Sequence, residues 1–64
     1  MPDFRLFHVN ADGDSVDVEA FCAVSDEIAL NVAVTRTGLH NGELWSWNDR
    51  RLIAAVTRNG VQTG

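Results

Sequence analysis

The sequence predicts a small α+β domain of β-β-α-β-β order, an antiparallel sheet with one helix packed on it. Three observations carry this expectation. Asp12-Gly13 separates two segments rich in β-branched and aromatic residues, the pattern of a hairpin. Ser25-Asp26-Glu27 then opens an apolar run in the manner of a capped helix. Further on, Asn48-Asp49 divides two more strand-like segments, a second hairpin.

The first strand is expected over residues 4–9. Phe4, Leu6 and His8 line one face and Arg5, Phe7 and Val9 the other. Both faces are partly apolar, which fits a central strand or one covered at an interface. After the turn at 10–15, residues 16–24 alternate. Val16, Val18, Ala20, Cys22 and Val24 point one way, with Asp17, Glu19, Phe21 and Ala23 opposed. A half-buried strand with the valine and cysteine side inward is the direct reading.

Ser25 is the expected N-cap, and Asp26 and Glu27 complement the positive end of the helix dipole. Ile28, Ala29, Leu30, Val32, Ala33 and Val34 spread over about two-thirds of a helical wheel. That arc is wider than packing on one sheet requires. Either a partner covers the rest, or the β-branched stretch 31–35 is partly strand; the helix is preferred, with Gly38 as its stop. Residues 39–42 read as a loop, and residues 43–47 and 50–56 as strands with Trp47 opposite Arg50, Trp45 opposite Leu52 and Leu44 opposite Ile53. One domain is thus assigned to residues 1–56. Residues 57–64 are expected to form a polar, frayed tail, with Asn59-Gly60 allowing a short extra turn.

Composition narrows the class. The chain has 64 residues, 45% hydrophobic and 22% charged, which suits a folded domain and not a disordered one. A domain this small buries only about 60% of its unfolded surface and often depends on a staple or on oligomerisation. With a single cysteine, Cys22, no intrachain disulfide forms, so a homodimer is a natural expectation. No apolar run approaches the roughly 20 residues of a membrane span. The start lacks the charge and apolar pattern of a signal peptide, and the lone thiol favours the cytoplasm.

The net charge of −4 is uneven: residues 1–32 carry −6 and residues 33–64 carry +2. An acidic chain is poorly suited to tracking phosphates, so direct nucleic-acid binding is not expected. Asp12, Asp14, Asp17 and Glu19 instead form a candidate acidic patch, which would suit an inhibitor that occupies a basic nucleic-acid site on another protein. Gly13 also stands where an EF-hand loop has its glycine, with Asn10, Asp12 and Glu19 at ligand positions. His8 replaces the first aspartate and the flanks read as strands, so an ordinary turn is the expectation and no metal is assigned.

No catalytic constellation stands out and no cofactor is implied. Cys22 sits in the apolar register of its strand and reads as a buried structural cysteine. A rival reading draws His8 toward Cys22 across the hairpin as a small-ligand or minor enzymatic site. Two histidines, His8 and His40, are too few for zinc. Trp45 and Trp47 share a strand face, and Arg50 can stack on Trp47. With Leu30 and Val34 on the helix, these residues are the candidate interface of a non-enzymatic module that binds a protein partner or itself.

The pattern Met1-Pro2-Asp3-Phe4-Arg5-Leu6-Phe7, with Glu43-Leu44-Trp45 and Arg51-Leu52-Ile53 later, resembles a set of short bacterial proteins of unknown function. The resemblance spans most of residues 1–56 and implies no activity. A weaker similarity links Ala20-Phe21-Cys22-Ala23 and the helix opening at Ser25 to the partial ribonuclease-H-like fold of HicB-type antitoxins. This chain departs from that pattern in its first strand and lacks the Pro-Gly-Cys element and the attached DNA-binding domain. The similarity therefore stands as analogy.

Overall fold

A computed structural model describes residues 1–37, 41–57 and 60–63. These residues form β1 (Asp3–Val9), β2 (Ser15–Cys22), α1 (Asp26–Thr37), β3 (Asn41–Ser46), β4 (Arg51–Thr57) and β5 (Gly60–Thr63). The strands make one antiparallel sheet in the order β2-β1-β3-β4-β5. Both β2 and β3 are antiparallel to β1, so they run parallel to each other, and α1 is the crossover between them. The α+β class and the β-β-α-β-β order are as the sequence predicts, with a fifth strand added. Among the described residues, no helix is long and apolar enough to cross a membrane.

Local chemistry explains the elements. Asn10 organises the first turn: its Oδ1 accepts from the amides of Asp12 and Asp14, each at 3.0 Å. Gly13 supplies the left-handed residue (φ 87°) that the turn needs. At the helix start, the Ile28 amide donates to Ser25 Oγ at 3.2 Å, which makes Ser25 the N-cap. Arg51 reaches from β4 to Asp26 in the first helical turn and to Asp49 in the β3–β4 loop, both at 3.2 Å. All three side chains are exposed, so this clasp orients the loop more than it stabilises the fold.

The helix lies on one face of the sheet, over β1, β3 and β4. It presents a stripe of small residues, Ala29, Ala33 and Thr37, all buried. Beneath them lie Phe4, Leu6, Leu44 and Ala54, none with any exposed surface. Small residues at i, i+4 and i+8 let the helix axis approach the sheet closely. The tightest point is Gly42, where an added Cβ would come within 2.7 Å of the Thr37 methyl group.

The structure corrects several expectations. β2 is turned over relative to its alternation: Phe4 pairs with Phe21 and Leu6 with Glu19, so Phe21 and Glu19 face the helix side. Val18, Ala20 and Cys22 face the other way, and Cys22 is exposed rather than buried. The cause is register. Phe4 and Leu6 are anchored under the helix, and the Phe4–Phe21 stack, 5.8 Å between ring centroids, carries its side of β2 with them. A bulge leaves Val16 as the extra residue, 63% exposed. Another bulge pairs Leu44 with Ala54 instead of Ile53, although Trp45 does face Leu52.

The β3–β4 connection is a four-residue loop, 47–50, closed by the Ser46–Arg51 pair. Residues 60–63, expected within a frayed tail, pair with β4 as β5. Their ladder needs only backbone groups, which polar side chains do not obstruct. The helix stop at Gly38, the loop at Leu39 and His40, and Arg58 and Asn59 lie outside the described residues.

Two predictions follow from these contacts. Gly42→Ala should lower stability by about 1–3 kcal/mol through overpacking against Thr37, read as a shift in the urea midpoint; an unshifted midpoint would show that the helix end has room to move. The Ser46 hydroxyl, and then Arg51, hold the Asp49 carboxyl below its ordinary value of 3.8. Its contribution to stability is therefore present above that value and is lost as pH falls through the lower, folded one. The Asp49→Asn variant should be less stable than the parent at pH 7, with the gap closing in acid; a gap independent of pH would contradict this.

Candidate functional site

A single helix leaves the second face of the sheet bare, and the side chains there are not those of an ordinary solvated surface. From β1 come Arg5, Phe7 and Val9; from β3 come Glu43 and Trp45, with Trp47 just beyond. Trp45 pairs with Leu52 of β4, and Phe7 with Val18 of β2. Val18 is 50% exposed, and the aromatic residues are only half-buried.

The aromatic ridge is held in place. Trp45 Nε1 donates to Glu43 Oε1 at 3.2 Å. Trp47 leans back along the sheet until its ring stands 6.1 Å from that of Phe7, tilted by 50°. Two guanidiniums accompany it, Arg50 at 4.1 Å and Arg5 at 5.1 Å from the indole centroid. Such contacts are worth about 0.5–1 kcal/mol each at exposed sites. Arg50 reaches the ring from a left-handed backbone conformation (φ 55°), uncommon outside glycine and asparagine. The ridge borders a concavity of about 430 Å³ that Val9, Gly13 and Ser15 close at the β1–β2 turn.

The face is electrically balanced. Its charged side chains are Asp3, Arg5, Glu43 and Arg50, while the chain as a whole carries −4. Neither arginine is in an ion pair among the described residues; the pairs there involve His8, Arg36 and Arg51. Glu43 binds Trp45, and Asp3 accepts a hydrogen bond from the Cys22 thiol at 3.0 Å.

Of the five candidate interface residues, Trp45, Trp47 and Arg50 gather here. Leu30 and Val34 do not: they lie on the helix, on the opposite side of the sheet, Leu30 partly packed on the core and Val34 42% exposed. Arg5, Phe7, Val18 and Glu43 complete the surface and were missed as site residues. The signal for Arg5 and Phe7 was the second apolar face of β1.

The acidic patch is divided. Asp12 and Asp14 are exposed on the turn, but Glu19 is engaged by Arg36 at 3.2 Å and faces His8 Nε2 at 3.3 Å. That nitrogen is shielded from solvent and sits off the line of a hydrogen bond. Asp17 binds the Val18 amide at 2.8 Å. Among the described residues, no three His, Cys, Asp or Glu side chains come together as a metal site.

His8 and Cys22 are also kept apart. His8 pairs with Asp17 and Cys22 with Asp3, five residues distant along β1, roughly 17 Å at strand spacing, and on opposite faces. The hydrogen bond to Asp3, then partial desolvation and the carboxylate charge, raise the Cys22 thiol above its ordinary value. A thiol held protonated is a poor nucleophile.

Comparison with family models, curated proteins and solved structures returns no match, so the functional reading rests on this geometry.

The thiol offers a direct check on the site. Asp3→Asn should make Cys22 react severalfold faster with a chromogenic disulfide reagent at pH 8, since the charge that disfavours the thiolate is gone. Equal rates in the two proteins would mean that the thiol–carboxylate contact does not persist in solution.

Proposed function

We propose that this chain is a non-enzymatic protein-interaction module whose binding surface is the helix-free face of the sheet. The observation that carries the reading is the half-buried Trp45–Trp47–Phe7 ridge flanked by exposed Val18. Tryptophan and arginine dominate the energetics of protein interfaces because they combine large apolar area with polar tips. Here both types are fixed in position before any partner arrives, which lowers the entropy lost on binding.

A protein partner fits better than a nucleic acid. The face pairs two arginines with two carboxylates, whereas a phosphate backbone calls for unopposed positive charge. The helix is the other apolar candidate, but its exposed Ile28 and Val34 are interrupted by exposed Asn31 and Thr35. A cytoplasmic setting accords with the single thiol.

A photo-crosslinking residue placed at Val18 should capture a protein in host cells, identified by mass spectrometry as a foreign chain or as this one. The same residue at Ile28 should capture little. Capture at Ile28 and none at Val18 would move the binding surface to the helix and overturn the proposal.

A further inference from the structure

We propose, resting on the reading of the bare face as a docking surface, that its occupant is a second copy of this chain. The two sheets pack face to face about a two-fold axis that runs along the strands between β1 and β3. In that arrangement β1 lies over β3 of the other copy, and β2 over its β4. Aligned sheet packing of this kind keeps the strand directions within about 30° and the sheets about 10 Å apart.

Charge is the first reason. The face is neutral in sum, so the net −4 resides elsewhere, on the β1–β2 turn, the helix side and the hairpin loop. Two copies meeting by any acidic surface repel. Meeting by this one, they bring together a face on which both signs are balanced and keep the other acids on outward surfaces. An oppositely charged partner, by contrast, has a better target in Asp12 and Asp14.

The second reason is self-complementarity, which an interface built on a two-fold axis requires. Arg5 of β1 and Glu43 of β3 form no ion pair among the described residues and sit on the two strands that the axis exchanges. The axis sets Arg5 of each copy over Trp45 of the other and Phe7 over Glu43. Each Arg5 thus lies diagonally across from the other copy's Glu43, two residues along the strand and within reach of its long side chain, twice over. The same operation brings Arg50, beside the end of β3, toward Asp3 at the start of β1. Val18 and Ala20 of β2, exposed in the single chain, are covered by the Leu52 side of β4.

Area sets the expected strength. Four overlapping strands at about 4.8 Å spacing and roughly 20 Å length present on the order of 400 Å² of flat surface per copy. Side-chain relief raises the accessible area above this. The flat total of about 800 Å² lies below the roughly 1,200–2,000 Å² of stable specific complexes, in the range of weak, transient association. A dimer with a dissociation constant in the micromolar range is the corresponding expectation.

Sedimentation of the intact chain should show a dimer at high concentration that dissociates on dilution. Glu43→Arg and Arg5→Glu should each weaken dimerisation at least tenfold, because each sets like charges against each other at two symmetric points. An equimolar mixture of the two variants should form a heterodimer, and the double variant should regain most of the lost affinity. Circular dichroism on each variant keeps the measurement to folded protein. Should a single variant not fold, the parent and the double variant still decide the matter. A parent chain that stays monomeric at millimolar concentration overturns the inference, as does a dimer indifferent to these reversals. If the dimer fails, the crosslink at Val18 separates the two ideas: a foreign protein there preserves the docking surface without self-association, and no crosslink removes both.

Discussion

One helix of twelve residues has to serve a five-stranded sheet, and most of the architecture follows from that shortage. A helix about 10 Å wide covers two or three strands at 4.8 Å spacing. Here it covers β1, β3 and β4, seated through Ala29, Ala33 and Thr37 on Leu6, Gly42 and Leu44. Phe4, Leu6 and Leu44 have no exposed surface, and the strands that carry them also hold apolar residues on the opposite face. The bare side thus inherits Phe7, Trp45, Trp47 and Leu52 because a single helix cannot lie on both sides of a sheet.

What the bare face does with these residues is the less usual part. Large apolar groups on an unprotected surface ordinarily invite nonspecific association. Here they are interleaved with arginines and carboxylates that form no ion pair among the described residues, and the rings are fixed by hydrogen bonds and guanidinium contacts. These contacts order the surface within the single chain. Arg50 illustrates the trade: its left-handed backbone is an uncomfortable one for a side chain, yet it is the residue closest to the Trp47 ring.

The sequence made the connectivity legible because turns and caps are written locally. Asp12-Gly13, Ser25 and Asn48-Asp49 each act within a few residues, and each marks a real boundary. The i, i+2 spacing of Trp45 and Trp47 likewise revealed that they gather on one face. The facing of β2 was not legible, since alternation tells which residues share a side and not which side is covered. That choice is made by the Phe4–Phe21 pairing and by a bulge at Val16, both products of register between distant residues. The exposure of Cys22 follows from the same reversal. β5 was hidden for a different reason: a backbone ladder on a polar segment leaves no apolar pattern to read. Leu30 and Val34 were grouped with the tryptophans because the helical wheel shows a wide arc but not the sheet that stands between them.

The margins of the sheet carry a further consequence. A strand at an edge offers a row of unpaired amides and carbonyls, which neighbouring molecules can extend into a fibre. β2 is blunted against this: Val16 breaks its line, and the Asp17 carboxylate takes the Val18 amide at 2.8 Å. β5, at the other margin, is only four residues long. Chains that associate through the broad face therefore have little means of also adding strands side by side. The geometry of the two margins thus works against growth by strand addition, whatever covers the broad face.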